Sequence, residues 1–299
     1  MEYYGYYNII KENRRPFINL NNTNSIEYKN GATFEDIFSV FQMDIDLRNV
    51  MMKACGLFES IFKQEIVRAW CSHYGTNQSA YLNRSNYRSP RNNSDKLDNF
   101  LETLNYFAFH EDDDLFNYYR NNDGNIPPWI LVKKMYLGQA IKWYTLLNPD
   151  LKNDIMKNMF SPAFINDIRL NDLKQLFGQF LSLIREFRNR AAHGGQIYLF
   201  SPKLRRGQPM VKFNSAYHAK FNIDQRLYDK GFGQTGIWTL NKFFSVLNFK
   251  EPYNNLNSFL NNRYKLVMVS LPIVNEFVNS NPLVSNIDEN KFVQVDLFK

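Results

Sequence analysis

The chain has few cysteines, and none of them has the spacing of a metal site. Its 299 residues include only Cys55 and Cys71, which lie sixteen positions apart and form no CxxC pair. Two cysteines with this spacing are typical of reduced, structural thiols in a cytosolic protein. The lack of Cys/His clusters argues against structural zinc. We therefore expect no metal ion and no cofactor.

The chain also lacks the apolar segments that membranes require. No run of about 18 apolar residues occurs, so no transmembrane helix is expected. The opening residues, MEYYGYYNIIKENRRPF, lack the charged region followed by an apolar region that marks a signal peptide. These absences favour a cytoplasmic protein with no membrane partner.

What is abundant favours a folded, basic protein. Hydrophobic residues make up 44% of the chain and aromatic residues 16%, which is enough for a sizeable core. The formal charge of +7 is compatible with a nucleic-acid partner, whose phosphates it would neutralise. The charge alone does not identify that partner, because many basic proteins bind no nucleic acid.

Apolar residues recur at helical spacing along most of the chain, which predicts a mostly α fold. Residues 33–73 are predicted to form one long core helix or two consecutive ones, beginning with a capping-box pattern at Thr33 and Asp36. A second helix is predicted over 97–107. A third is predicted over 129–146, with Gly138 in its middle, where close helix–helix approach would explain the glycine.

The predicted organisation has three parts: an N-terminal arm (1–32), extended with turns, a helical domain (33–200), and a C-terminal helical extension packed on the same domain (201–299). Short alternating runs in residues 196–213 predict a small β-hairpin or a basic loop. The terminal FVQVDLF, residues 292–298, has the pattern of a strand.

The strongest amphipathic pattern runs from Asn171 to Gly195. Its apolar residues fall three and four positions apart, no proline interrupts it, and Gly194-Gly195 is a stop signal. Asp172 is the predicted N-cap. The polar end of this helix concentrates the groups that could perform chemistry: Glu186, Arg188, Asn189, Arg190 and His193.

Asn189 and His193 are four residues apart and therefore share a helical face. Histidine moves protons near neutral pH, and guanidinium groups prefer phosphates. The combination suits cleavage of a phosphodiester bond without a metal ion, with His193 moving protons and the arginines holding the phosphate. The alternative is structural, because arginines in a last turn complement the helix dipole and a histidine there is often only a cap.

The segment FRNRAAH, residues 187–193, resembles the R-N-x-x-x-H motif of HEPN domains, and more narrowly that of Abi-like abortive-infection proteins of the AbiD/AbiF type. Further segments are similar to that family in the same order: Gly31 to Ile37, Asp46-Leu47-Arg48, Glu59 with its helix, Ile126-Pro127-Pro128-Trp129 with Gly138. The ordered set spans residues 31–200 and is far more specific than the short motif alone.

The resemblance implies a HEPN-like helical bundle that forms a homodimer, with a composite, metal-independent ribonuclease site where two motifs meet. Arg188 would bind the scissile phosphate, Asn189 would orient the pair, and His193 would act as general acid or base in attack by a 2′-OH. It also implies antiphage defence, by abortive infection or as a toxin–antitoxin system, and association with a small non-coding RNA.

Basic residues outside the motif are candidate contacts for the RNA backbone, with ordinary solvated loops as an equally good interpretation: Arg190, Lys203, Arg205, Arg206, Arg84, Arg88 and Arg91. Two alternatives to an endoribonuclease stay open at this point. One is a non-catalytic RNA-binding HEPN scaffold that holds a cognate non-coding RNA. The other is a protein-interaction subunit that uses the Arg/His cluster only at its dimer interface.

Overall fold

Helices form nearly all of the regular structure. The computed structural model describes residues 5–19, 26–88 and 94–286. Over these ranges no β-sheet forms, and β-structure is confined to isolated bridge residues such as the antiparallel pair Ile18 and Tyr28. The prediction of a mostly α fold is confirmed, whereas the HEPN type of bundle stays a prediction. No helix in the described ranges combines the length and the apolar character needed to cross a membrane.

In chain order the helices are α1 (Phe34–Tyr74), α2 (Gln78–Leu82), α3 (Ser94–Phe109), α4 (Asp114–Asp123), α5 (Pro128–Lys134), α6 (Leu137–Leu146), α7 (Pro149–Met159), α8 (Pro162–Asp167), α9 (Leu170–Ala192), α10 (Ser215–Ala219), α11 (Gln225–Lys230), α12 (Gly236–Val246), α13 (Glu251–Phe259), α14 (Lys265–Ser270) and α15 (Pro272–Asn279).

Helix α1 is one continuous helix of 41 residues. Its predicted capping box is present, because the Asp36 N–H donates to Thr33 Oγ1 at 3.2 Å and the Thr33 N–H donates to Asp36 Oδ2 at 3.1 Å. Its C-terminal end is followed by Gly75, whose φ of +78° leaves the helical region. The sequence pattern therefore located both ends of this helix.

The chain forms two compact units, one from residues 1–55 with 166–299 and the other from residues 56–165. In the first unit the Phe180 ring of α9 stacks on Phe243 of α12, with centroids 4.0 Å apart. In the second unit Trp70 and Trp143 are fully buried, with ring centroids 5.5 Å apart. The domain boundaries proposed from the sequence stay a prediction.

The helix predicted over 129–146 is in fact two helices, α5 and α6. The chain is extended between them, with ψ near 133° at Met135 and 161° at Tyr136. The cause is a new helix start, because the Gln139 side chain accepts the Tyr136 N–H at 2.8 Å. Gly138 consequently lies in a first turn, and nothing lies within 4 Å of the position that a Cβ would take. Close helix–helix approach is therefore not the reason for this glycine.

Two further predictions are wrong in detail. The N-terminal segment is helical over Tyr7–Lys11 and Arg15–Phe17 rather than extended, because it buries Ile9 and Phe17. Asp172 is not an N-cap; it lies in the first turn of α9 and pairs with Arg169 at 3.0 Å. The strand predicted over residues 292–298 falls outside the described residues.

Residues 196–213 form the basic loop and not the β-hairpin, the other of the two structures predicted there. Two of their backbone N–H groups donate to residues of the same unit outside this segment. The Lys212 N–H donates to Gln179 Oε1 at 3.0 Å, and the Val211 N–H donates to the Gln234 carbonyl at 2.9 Å. A strand ladder would need those donors.

Two glycines of the second unit predict stability changes of opposite sign. Gly124 ends α4 in the left-handed region, with φ +61°, so Gly124→Ala is expected to lower the free energy of unfolding by about 1 kcal/mol. Gly138→Ala adds helix propensity in open space and is expected to raise it by up to about 1 kcal/mol. Urea titration of both variants measures the two shifts. A Gly138→Ala variant that is clearly destabilised would restore the close-approach explanation.

Candidate functional site

The sequence of the last turn of α9 determines how this helix ends. His193 is the C-cap, Gly194 follows with φ +73°, and the Gly195 N–H donates to the Arg190 carbonyl at 3.0 Å. The Gly194 N–H donates to Ala191 at 3.2 Å. These two bonds form a Schellman motif, which needs a residue that accepts positive φ after the cap. The glycine pair is thus the stop that the sequence predicted.

The Arg-Asn-His cluster lies on the last turn of α9. The backbone N–H of His193 donates to the Asn189 carbonyl at 3.0 Å, so these two residues stand on successive turns. Both side chains are exposed, and Arg188 beside them is half-buried. The structure thus presents the Asn189 amide and the His193 imidazole to solvent, and Arg188 lies beside Asn189 in the chain. Their catalytic roles stay a prediction.

Arg190 has local contacts in the folded chain. Its Nε donates to the Gln196 carbonyl at 3.2 Å, and its guanidinium lies 5.5 Å from the centre of the Phe200 ring. A Cβ on Gly195 would fall within 2.2 Å of Arg190 Nε, so a side chain there would displace the arginine. Arg190 therefore ties the end of α9 to the loop that follows. Its predicted contact with RNA stays a prediction.

Two charged residues of α1 hold the same loop from the other side. The Asp44 carboxylate is only 3% exposed, and its Oδ1 accepts the backbone N–H groups of Ile197 at 2.8 Å and Tyr198 at 2.9 Å. Arg48, one turn further along α1, lies 3.6 Å from Asp44 Oδ2 and donates to the Gly194 carbonyl. The loop that begins directly after His193 is therefore anchored over residues 194–198.

Burial raises the pKa of the Asp44 carboxyl from 3.8 to about 6, although the two backbone N–H donors and the Arg48 guanidinium act in the opposite direction. A buried carboxylate is costly unless it is hydrogen-bonded. The two donors from the loop offset part of this cost, so the fold of the loop and the charge of Asp44 depend on each other.

The N-terminal segment completes the anchoring. Gln196 Nε2 donates to the Glu12 carbonyl at 2.8 Å and to Asn13 Oδ1 at 3.1 Å. Asn13 is itself buried and donates to the carbonyls of Asn8 and Ile9. The glutamine that follows the two glycines thus fastens the N-terminal helical turn to the loop.

Three basic residues further along the loop are exposed. Lys203, Arg205 and Arg206 lie on a turn in which the Gly207 N–H donates to Leu204 at 3.1 Å. Arg206 has the left-handed φ of +64°, which is uncommon for a residue with a side chain. The three cations belong to the same compact unit as α9.

The other predicted RNA contacts belong to the second unit. Arg84 pairs with Asp98, and Arg88 is exposed and donates its backbone N–H to Leu146 at 2.9 Å. Arg91 lies outside the described residues.

Glu186, near the end of α9, pairs with Arg185 at 3.5 Å as an exposed surface pair. Such a pair contributes little to stability.

Sequence reasoning missed the roles of Asp44, Arg48 and Gln196. The sequence did contain an indication of the role of Asp44, because this residue interrupts the apolar stripe of α1 between Val40 and Leu47. A carboxylate on a buried helical face needs donors from elsewhere. The sequence could not identify those donors, because they are backbone groups about 150 residues away.

Comparison with known protein families identifies a match over two thirds of the chain. The sequence profile of the family described as Abi-like protein matches residues 1–199. No curated protein and no solved structure matches the chain. The matched range includes α1, α9, the Arg-Asn-His cluster and the loop anchored by Asp44.

Removal of the Asp44 carboxylate is expected to destabilise the first unit. Asp44→Ala leaves two buried N–H groups without an acceptor, which costs about 2–4 kcal/mol. Asp46→Ala is the matched control, because Asp46 lies on the exposed side of α1 and only reaches Arg263 at 3.7 Å. Urea unfolding of both variants checks this, and equal losses would contradict the anchoring role.

The raised pKa of Asp44 gives stability a pH dependence. The folded chain keeps this proton up to about pH 6, whereas the unfolded chain releases it near pH 3.8, so the group's contribution to stability falls as pH rises across that window. The fall amounts to about 3 kcal/mol. Asp44→Asn does not titrate, so its unfolding free energy should lack this fall between pH 4 and 6. Parallel slopes for both proteins would contradict the assignment.

Proposed function

The chain belongs to the Abi-like protein family, which indicates abortive-infection defence, and we propose that it is an endoribonuclease that needs no metal ion. The observation that carries the proposal is the exposed imidazole of His193, which shares the last turn of α9 with Asn189 and Arg188. The anchored loop after His193 limits the movement of this turn. Preorganised groups of this kind lower the barrier to reaction.

The proposed reaction is an internal transesterification of RNA. The 2′-OH attacks the adjacent phosphorus, the bond to the 5′ oxygen breaks, and a 2′,3′-cyclic phosphate and a 5′-OH are formed. One imidazole takes the 2′ proton as general base, and one imidazolium gives a proton to the leaving 5′ oxygen. Arg188 binds the phosphate and stabilises the charge that develops on its oxygens, while Asn189 orients the pair.

A second copy of the chain supplies the second imidazole in this proposal. The compact unit that carries His193 has one other histidine, His218. That ring is buried, with Nδ1 2.9 Å from the Asn214 carbonyl and Nε2 3.3 Å from the Gly233 carbonyl. Both ring nitrogens of His218 thus lie beside backbone carbonyls within the core. A homodimer in which two α9 ends meet would bring two copies of His193 to one phosphate.

RNA is also proposed as a bound partner. The net charge of +7 favours association with a small non-coding RNA, which would accompany the protein through purification. The expected signs are a high ratio of absorbance at 260 nm to that at 280 nm and a discrete RNA after extraction.

His193→Ala tests the proposal, with His110→Ala as the matched control. Both histidines are exposed, and each donates its backbone N–H to the carbonyl four residues before it. The proteins are purified without nuclease treatment and incubated with labelled total RNA in EDTA. Because general acid–base catalysis contributes about 10²–10⁴-fold, His193→Ala should cleave at least about 100-fold more slowly, and His110→Ala should match wild type.

Three results would overturn the proposal. Undiminished cleavage by His193→Ala would remove the histidine from the reaction. A discrete copurified RNA without cleavage by wild type would favour the non-catalytic scaffold that holds a cognate RNA. A change of oligomeric state in His193→Ala without any effect on RNA would instead assign the cluster to protein interaction.

A further inference from the structure

A groove of about 470 Å³ runs along the solvent side of α9, on the N-terminal side of the Arg-Asn-His cluster. The helix contributes Gln175, Gly178, Gln179 and Ser182 to its wall. None of these residues was singled out by the sequence motifs. We call this feature the α9 groove.

The α9 groove and the Arg-Asn-His cluster share one face of the helix. Gln175 and His193 are eighteen residues apart, which is about five turns at 3.6 residues per turn, so they point in the same direction. Ser182 and Asn189 depart from that direction by less than about half a right angle, at roughly 100° per residue. A polymer lying in the groove therefore continues along the helix towards Asn189 and His193.

The opposite wall comes from the basic loop. Leu204, Met210 and Lys212 line it, and the bond from the Lys212 N–H to Gln179 Oε1 at 3.0 Å fixes this wall to the helix. Leu204 lies within the turn that carries Lys203, Arg205 and Arg206, all exposed. The groove thus has amides and a hydroxyl on one side, apolar contacts on the other, and cations at its rim.

We propose that the α9 groove binds single-stranded RNA next to the bond that is cleaved. This proposal rests on the proposed function, because it concerns the substrate of the same site. The Gln175 amide and the Nε2 group of Gln179, whose Oε1 already accepts the Lys212 N–H, suit base edges. Base edges are accessible in unpaired RNA, whereas duplex RNA presents mainly phosphates and 2′-hydroxyls. The cations at the rim suit the backbone phosphates of the strand. Between Gln175 and His193, the one acidic residue of α9 is Glu186, and it is paired with Arg185.

Gly178 keeps the groove open. It lies in the interior of α9, where glycine costs about 1 kcal/mol relative to alanine, yet its backbone is helical and nothing lies within 4 Å of the position of a Cβ. Packing within the chain therefore does not require this glycine. In this proposal Gly178 is needed because a side chain at this position would obstruct the bound RNA strand.

The test fills the groove without disturbing the helix. Gly178→Phe places a ring in the groove, and Gly56→Phe is the matched control, because Gly56 is also an exposed glycine inside a helix with nothing within 4 Å of its Cβ position. Both changes are made in His193→Ala protein, and binding of a fluorescent, unstructured oligoribonucleotide is measured by anisotropy. Gly178→Phe should weaken binding at least tenfold, and Gly56→Phe less than twofold.

A second measurement does not depend on the folding of Gly178→Phe. Replacing Lys203, Arg205 and Lys212 together by glutamine removes three surface cations. The slope of log K against log salt should then become shallower by about 2, since each phosphate contact of a single strand contributes about 0.7. An unchanged slope would overturn the groove as the path of the strand.

The outcomes separate the two proposals. If wild type neither binds nor cleaves unstructured RNA, the proposed function fails. If wild type cleaves, His193→Ala does not, and the Gly178→Phe enzyme cleaves as fast as wild type, then only the groove proposal is overturned. Tighter binding of a fully paired RNA hairpin than of the unstructured strand, or a changed oligomeric state in Gly178→Phe with unchanged RNA affinity, would overturn it as well.

Discussion

The Asp44 carboxylate is the constraint on which the candidate site depends. It is a buried charge on α1, and it is satisfied by two backbone N–H groups that lie just beyond the end of α9. Arg48 adds a bond to the Gly194 carbonyl. The end of α9 and the loop after it are in this way tied to α1. The exposed imidazole of His193 stands directly before this tie.

This arrangement combines rigidity with exposure. The side chain of Arg190 donates a hydrogen bond to the loop, and that of Gln196 donates one to the N-terminal turn. The side chains of Asn189 and His193 are exposed to solvent. Arg190 and Gln196 thus hold the backbone of the loop and of the N-terminal turn. That division explains how an Arg-rich helix end with one histidine can be a structural cap and still expose the side chains of Asn189 and His193.

The sequence was informative where local chemistry decides the structure. The capping box at Thr33, the glycine stop after His193 and the apolar stripe of α9 follow from neighbouring residues, and the structure has all three. It was misleading where a side chain starts a new element, as Gln139 does at Tyr136. It was silent where partners are far apart in the chain, because nothing near Asp44 indicates that residues 197 and 198 complete its hydrogen bonds.

The proposed ribonuclease activity is tested most directly by the ends of any RNA fragments that the wild-type protein produces. Attack by the 2′-OH, driven by imidazoles and without water as the nucleophile, leaves a 2′,3′-cyclic phosphate on one fragment and a 5′-OH on the other. Mass spectrometry of a defined oligonucleotide distinguishes these ends, and a single 2′-deoxy substitution at the cleaved position should block the cut. Fragments with 3′-OH and 5′-phosphate ends, or cleavage of the 2′-deoxy substrate, would contradict the mechanism assigned to His193.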